Sequence, residues 1–290
     1  MGAAFLITLR EGLEVALILS IILAYLNAIG RRDRHRTVWA GAGAAGLVSL
    51  VAGGAIFAVA GGLSHTAAET FEGVAGLLAV GVLTWMIFWM RRNAINIKGE
   101  LQGKVDGAVA SGSALALAGL AFLMVLREGL ETVLFLFSAF NAATTPAILT
   151  ALGAVLGFGL ATLLGFLIYR GGRRLNLRLF FRVTGALVLV VAASLLVYSI
   201  HELYEVGTFD ALRETGLLGG VPILSGIVNL ILQPIVGLGG GRTWIEIIAF
   251  FGYLAIVGPL FFRPARPRRM TPQGAVPTSQ EKQEATTTRS

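Results

Sequence analysis

Long apolar runs recur along almost the whole chain and constrain its fold more than any other feature. Seven of them approach the roughly 20 residues that a helix needs to cross a bilayer. They cover about residues 3–29, 38–60, 71–90, 113–139, 148–169, 179–199 and 244–262. Since 56% of the 290 residues are hydrophobic and only 13% are charged, we predict an all-α polytopic membrane protein with seven transmembrane helices.

The loops between these runs alternate sharply in their Arg and Lys content. Basic clusters follow runs one, three, five and seven, starting at Arg31, Arg91, Arg170 and Arg263. Because basic loops stay in the cytoplasm, this pattern predicts an outer N-terminus and a cytoplasmic C-terminus. The net charge of +7 therefore indicates membrane topology rather than nucleic-acid binding.

Two further segments complete the predicted organisation. Residues 217–241 are apolar, but Pro222 and Pro234 interrupt them, and an eighth crossing would move the last basic cluster outside. We therefore expect a re-entrant or interfacial segment on the outer side. Residues 263–290 are rich in Pro, Thr, Gln and Ser, which predicts a disordered cytoplasmic tail. The seven-helix domain is expected to occupy residues 1–262.

One five-residue motif, Arg-Glu-Gly-Leu-Glu, occurs twice inside these apolar runs. Motif 1 comprises residues 10–14 of the first run, and motif 2 comprises residues 127–131 of the fourth. A charged residue at the centre of a membrane helix costs about 2.5–3.5 kcal/mol on insertion scales. Three ionisable residues in each motif therefore mark a candidate functional site.

The sequence around the motifs is also repeated. Residues 4–14 align without a gap on residues 121–131, and the third run of each copy shares Phe-x-x-Val-x-Gly, at 71–76 and 180–185. The repeated unit is three helices, about residues 1–92 and 113–205. Because three is odd, the second unit enters the membrane from the opposite face, which predicts an inverted 3+3 repeat followed by the seventh helix, residues 244–262. Such folds bind substrates near the midplane, where the repeats meet.

Each motif places two carboxylates and one guanidinium on neighbouring helix positions. The two glutamates are spaced i, i+3 and project from one helix face. The predicted metal ligands are Glu11, Glu14, Glu128 and Glu131, with Arg10 and Arg127 as counter-charges. Facing motifs would form a site of net charge −2 that suits a hard cation with oxygen ligands. We expect Gly12 and Gly129 to let the two motif backbones approach closely.

An alternative interpretation is that the motifs only clamp helices together in a scaffold. Each Arg would then neutralise its own glutamates, and replacing these residues with apolar ones would preserve function. However, two carboxylates for each Arg leave an uncompensated charge that burial alone would penalise. The pattern therefore favours a cation site.

A second group of acids lies on the predicted outer side. The secondary metal candidates there are Glu72, His201, Glu202, Glu205 and Glu246. Glu69, Asp210 and Glu214 fit solvated loop charges equally well. Because few basic residues share this side, the acids form a cation-attracting vestibule. The stretch His-Glu-x-x-Glu at 201–205 differs from the HExxH of zinc hydrolases.

The two motifs in runs one and four, with the His-Glu-x-x-Glu stretch after run six, resemble the oxidase-dependent iron permease family, also called the iron/lead transporter family. The resemblance covers about residues 1–262. It implies a high-affinity permease that imports iron ions across the cytoplasmic membrane, with the motif glutamates binding iron in transit and no permanently bound cofactor. The implied partners are an extracytoplasmic iron oxidase or peroxidase and an iron-binding protein.

Two alternatives to iron transport remain at this point. Lead-transporting relatives share the motif, so lead or manganese is an alternative cargo. An intramembrane hydrolase would use the same carboxylates with His201 around a catalytic metal, but the sequence offers no second imidazole near the site. If the glutamates carry cations, they bind protons when empty, and uptake is expected to depend on pH.

Overall fold

The computed structural model describes residues 1–93, 97–143, 145–170, 177–207 and 243–263. The helices in these ranges are α1 (Gly2–Ala28), α2 (His35–Gly61), α3 (His65–Asn93), α4 (Ile97–Ala110), α5 (Ala114–Asn141), α6 (Ala147–Tyr169), α7 (Leu177–Glu205) and α8 (Trp244–Phe262). A 3-10 turn at Arg32–Arg34 precedes α2, and no β-strand occurs in the described part of the chain. The predicted all-α class is confirmed.

Five helical segments are long and apolar enough to cross a membrane. They are Arg32–Gly61, His65–Met90, Ala147–Tyr169, Arg182–Glu205 and Trp244–Phe262. The motif helices α1 and α5, of 27 and 28 residues, are not among these five. The described helices therefore fit a polytopic membrane protein, whereas seven crossings, the outer N-terminus and the domain boundaries stay predictions.

Helix α4 lies where the sequence predicted only a basic loop. Glu100 and Lys104 form an i, i+4 ion pair of 3.1 Å on its surface, and the apolar side buries Leu101 and Val105 against α1 and α5. With 14 residues, α4 is too short to span a bilayer, which needs about 20. Its amphipathic character indicates a helix packed beside the bundle.

Helices α3 and α7 are longer than the apolar runs that predicted them. Helix α3 begins at His65 rather than at residue 71, and α7 continues to Glu205 rather than ending at residue 199. The polar residues at these ends therefore lie on helices and not in loops. The predicted outer segment 217–241, Asp210, Glu214 and tail residues 264–290 lie outside the described residues.

The helices pack between the two predicted repeats more than within them. Helix α1 packs against α6 and α2 packs against α5, while α3 packs against α7 and α1 against α5. If α1, α2 and α3 are exchanged with α5, α6 and α7 in that order, the same set of helix–helix contacts results. A two-fold relation between the triplets produces such a pattern. Helix α8 packs on α7, outside this exchange.

The two motif glycines, Gly12 and Gly129, each lie close to the second helix of the other triplet. A Cβ atom at Gly12 would lie 2.8 Å from the Ala161 Cβ of α6, and one at Gly129 would overlap Ser49 of α2. The expectation that these glycines bring the two motifs together is therefore wrong. Their hydrogen atoms face α6 and α2, so they permit packing between the first helix of one triplet and the second helix of the other.

A second glycine pair brings backbone against backbone. A Cβ atom at Gly41 would overlap the carbonyl oxygen of Ala118, and one at Gly153 would overlap that of Met1. Only a residue without a side chain fits at these crossings, because a backbone carbonyl cannot move aside as a flexible side chain can. These two crossings attach α2 to α5 and α6 to α1.

Replacing Gly41 with valine is expected to destabilise the protein by about 1–3 kcal/mol, the usual cost of overpacking. Gly43→Val in the same helix is the matched control, because no atom lies within 4 Å of a Cβ built at Gly43. Thermal unfolding of the purified variants in detergent measures the difference. Equal Tm values for the two variants would contradict the packing described here.

Candidate functional site

Motif 1 lies in the first half of α1 and is buried. Arg10, Glu11 and Glu14 are only 2%, 1% and 7% exposed. The Arg10 Nη1 atom lies 3.6 Å from Glu11 Oε1, and its Nε atom lies 3.3 Å from Glu14 Oε1. Arg10 Nη2 also donates to the Met90 Sδ atom of α3 at 3.5 Å. One guanidinium thus serves two buried carboxyl groups, which gives this half of the site a formal net charge of −1 when both are ionised.

Motif 2 lies in α5 and has a more open counter-charge. Arg127 Nε donates to Glu131 Oε1 at 3.0 Å and lies 3.8 Å from Glu128 Oε1. Its guanidinium carbon lies 5.5 and 5.2 Å from the ring centroids of Trp85 and Trp89, a cation–π distance. The Arg127 side chain is 41% exposed, against 3% for its counterpart in motif 1. The two halves of the site are therefore not equivalent.

The carboxylates of the two motifs converge between α1 and α5. One oxygen each from Glu11, Glu128 and Glu131 lie within 4.8 Å of one another. Within the described ranges, both Glu11 oxygens and the Oε2 atoms of Glu128 and Glu131 are buried without a hydrogen-bond partner. Buried charges without partners are costly, and carboxylate oxygens are the ligands that hard cations prefer. The arrangement is therefore chemically suited to a cation.

Glu14 stands slightly apart from this group. It pairs with Arg10, although no described residue forms a hydrogen bond with its buried Oε1 atom. The structure thus brings three of the four predicted ligands together and leaves the fourth beside the counter-charge.

Hydroxyl side chains on both motif helices make hydrogen bonds next to the charged residues. Thr8 Oγ1 lies 2.9 Å from the backbone oxygen of Ala154, which links α1 to α6 just before motif 1. Thr132 Oγ1 donates to the backbone oxygen of Glu128 at 2.7 Å, a bond that bends helices slightly. The first of these contacts helps to orient the motif 1 face of α1.

A second acidic group lies where α3 begins and α7 ends. One oxygen each from Glu69, Glu202 and Glu205 lie within 4.8 Å of one another. Glu72 Oε2 accepts a hydrogen bond of 2.5 Å from the Tyr198 hydroxyl. We call Glu69, Glu72, Glu202 and Glu205 the outer acidic cluster, after the side on which the sequence predicts them. Three of its members thus bring one carboxylate oxygen each close together, although Glu69 also pairs with His65 at 2.8 Å, while Glu72 is held by a tyrosine.

His201 and Glu246 connect this cluster to α8. The His201 Nδ1 atom lies 3.0 Å from Glu246 Oε1, and its Nε2 atom lies 3.3 Å from Glu205 Oε1. Glu246 is 2% exposed and forms a capping box with Thr243 at the start of α8. Both predicted candidates therefore have a structural partner, which ties α7 to α8.

Sequence reasoning undervalued Glu69 and missed the aromatic partners of the charges. Glu69 lies within α3 with its side chain 13% exposed, so the interpretation as a solvated loop charge is wrong. Its i, i+3 spacing from Glu72 repeats the spacing of the motif glutamates and was the available signal. No pattern in the sequence identifies Trp85, Trp89 and Tyr198 as partners of Arg127 and Glu72.

Long apolar helices that pack around buried charged groups define a polytopic membrane protein. Residues 1–262 match the iron permease FTR1 family. The chain therefore belongs to the iron permease FTR1 family, and the resemblance seen in the sequence is confirmed.

Two relatives illustrate the similarity. The ferrous iron permease EfeU of Escherichia coli O6:K15:H31 (strain 536 / UPEC) is 37% identical over 269 residues, which cover 92% of this chain and 97% of that protein. The ferrous iron permease EfeU of Yersinia pestis is 36% identical over 92% of this chain and 95% of its own length. No solved structure matches the chain. Since these proteins are named as permeases, the prediction of a membrane transporter rather than an enzyme is confirmed.

Proposed function

We propose that this protein imports iron ions across the cytoplasmic membrane with high affinity, and that the ions pass through the paired glutamates of the two motifs. The proposal rests on the convergence of Glu11, Glu128 and Glu131, which each place one oxygen within 4.8 Å of those of the other two. Membership of the iron permease family supports iron as the cargo.

The charge of the site supports a multivalent cation. Two arginines face four glutamates in the two motifs, which gives a net charge of −2. One ferrous ion would neutralise this charge, in keeping with the ferrous iron named for the relatives, and a ferric ion would leave one positive charge. An all-oxygen ligand set also accepts manganese or lead, so the donor atoms by themselves do not select iron.

Helix α3 links the outer acidic cluster to the motifs. Its first turns carry Glu69 and Glu72, and its second half carries Trp85 and Trp89 beside Arg127. In our proposal, iron first gathers at the outer acidic cluster, where an extracytoplasmic oxidase or peroxidase and an iron-binding protein would deliver it. It then moves along α3 to the motif glutamates and leaves inward as the two triplets rock against each other.

Separate measurements of the uptake of each metal ion into proteoliposomes test this proposal. Purified protein is reconstituted, and ferrous, ferric, lead and manganese ions are offered with and without a pH gradient. We expect saturable iron uptake that depends on the gradient, because empty glutamates at this depth bind protons. Iron uptake no faster than in protein-free vesicles would contradict the proposal, and faster uptake of lead or manganese would reassign the cargo.

Weakening the outer acidic cluster is expected to affect capture and not the transport step. The double variant Glu69→Gln/Glu202→Gln should raise the apparent KM for iron about tenfold, because attraction to a charged vestibule raises local cation concentration by such factors. The maximal rate should stay within about twofold, since neither residue belongs to the motifs.

Glu100→Gln is the matched control for this pair. Glu100 is an exposed helical acid, paired with Lys104 on α4, and its neutralisation should leave KM unchanged. Initial rates of iron uptake over a range of iron concentrations give both constants. A double variant with the KM of the wild type would remove the outer acidic cluster from the proposed path.

A further inference from the structure

An apolar cleft opens between α2 and α6, on the side of the motif helices that carries their glycines. It has a volume of about 930 Å³, near the upper end of the range of about 300–1,000 Å³ for small-molecule sites. Gly12 and Gly129 form part of its floor, and Phe57 and Phe158 belong to its walls. None of the described residues that line the cleft is Arg, Lys, Asp or Glu. The cleft is therefore distinct from the glutamate site.

One end of the cleft is polar and basic. His35 at the start of α2 and Tyr169 at the end of α6 line this end. The His35 Nε2 atom is buried and has no hydrogen-bond partner in the part of the chain that the structure describes. Arg32 and Arg36, three residues before and one residue after His35, are exposed, and so is Arg170, which follows Tyr169. The Arg170 guanidinium carbon lies 6.0 Å from the ring centroid of Phe166, which also lines the cleft. Three exposed arginines thus lie close in sequence to the two residues at the polar end of the cleft.

The acids near this end are already engaged. Asp33 pairs with Arg31 and Arg34 at 3.4 and 3.3 Å, and Asp106 accepts a hydrogen bond of 2.6 Å from the Tyr25 hydroxyl. The exposed arginines on either side of His35 have no ion-pair partner in the described ranges. Residues 31–36 contain four arginines and one acid, Asp33, so the segment at this end of the cleft carries a net positive charge.

We propose that this cleft binds one anionic phospholipid. Its acyl chains lie along the apolar walls, and its phosphate lies at Arg32, Arg36 and His35. Basic pockets between transmembrane helices on the cytoplasmic side are typical sites for anionic headgroups, and guanidinium groups match phosphate in geometry. Because Gly12 and Gly129 belong to the floor, the lipid packs against both helices that carry the motifs.

Native mass spectrometry of the purified protein tests this site, with phosphatidylglycerol and phosphatidylcholine of the same acyl chains as probes. The wild type is expected to retain about tenfold more phosphatidylglycerol than phosphatidylcholine, since each basic residue near the headgroup adds attraction. Arg32→Gln/Arg36→Gln should lower phosphatidylglycerol retention to the level of phosphatidylcholine. Equal retention of the two lipids by the wild type would overturn the proposal.

Substitutions that fill the cleft with a larger apolar side chain give a second test, which does not change the charge of the protein. Gly46 and Gly54 line the cleft, and no atom lies within 4 Å of a Cβ built at either position. Gly46→Leu or Gly54→Leu should therefore reduce phosphatidylglycerol retention about tenfold by occupying the space. Gly43→Leu is the control, because Gly43 lies in equally open space on α2 but does not line the cleft.

Two outcomes of the filling experiment would overturn the proposal. One is equal phosphatidylglycerol retention by Gly46→Leu and Gly43→Leu. The other is that the wild type appears as a dimer in the same spectra and Gly46→Leu loses the dimer but no lipid, which would assign the cleft to a second copy of the chain. Binding is measured here without any transport step, so the result is independent of what the protein carries.

Discussion

Iron uptake by a Glu11→Gln variant is expected to fall to the background of protein-free vesicles. Glu11 is 1% exposed, and both of its oxygens lack a hydrogen-bond partner within the described ranges. It also contributes one of the three oxygens that converge within 4.8 Å. The amide keeps the shape of the side chain but removes the negative charge that a cation requires from its ligand. Uptake of iron into proteoliposomes at matched protein content measures the effect.

The equivalent substitution in motif 2 tests the same site. Glu128→Gln is expected to abolish uptake as well, because its carboxylate belongs to the same converging group. Glu100→Gln, on the surface of α4, controls for the loss of a carboxylate elsewhere. Wild-type uptake in either motif variant, with normal insertion in the membrane, would show that the motifs are not on the iron path.

The largest effect on stability is expected for Arg10→Gln, which should lower the free energy of unfolding by about 3–5 kcal/mol. Arg10 is the guanidinium beside two buried carboxylates, at 3.6 Å from Glu11 and 3.3 Å from Glu14. Removing it leaves both carboxylates buried without a cation. Arg127→Gln should cost only about 1 kcal/mol, because that side chain is 41% exposed and its ion pairs are partly solvated.

A double variant separates the loss of charge balance from the loss of packing. Arg10→Gln/Glu14→Gln restores the charge balance of motif 1 and is expected to recover most of the lost stability, since one uncompensated carboxylate is removed. Thermal unfolding of detergent-purified protein gives the comparison. Equal Tm losses for Arg10→Gln and Arg127→Gln would contradict the asymmetry of the site.

This asymmetry could not be predicted from the sequence, because the two motifs are identical over five residues. It arises from their neighbours on α3. Arg10 meets the Met90 sulfur in a buried position, whereas Arg127 lies over the exposed Trp85 ring and the Trp89 ring beside it. Only the packing of α3 against both motif helices reveals which counter-charge is buried.

The helices themselves were accessible to sequence reasoning, because long apolar runs leave the backbone no alternative to helix in a membrane. Helix α4 could not be predicted in this way, because its buried side has only a few apolar residues, such as Leu101 and Val105, among glycines and charged residues. The roles of Gly12 and Gly129 were misjudged for a different reason. A glycine in a helix indicates close approach to another helix, but the sequence does not show which one. Here Gly12 contacts α6 and Gly129 contacts α2, each in the other repeat.

Iron is expected to occupy the site formed by Glu11, Glu128 and Glu131 during transport. Anomalous diffraction at the iron absorption edge, from crystals of the wild-type protein soaked with iron, tests it most directly. We expect a peak between these three carboxylates, at bonding distance from one oxygen of each, about 2.0–2.2 Å if iron resembles zinc in its carboxylate bonds, and no peak there in Glu11→Gln crystals. Iron found only at the outer acidic cluster, with the motif glutamates unoccupied, would contradict the account.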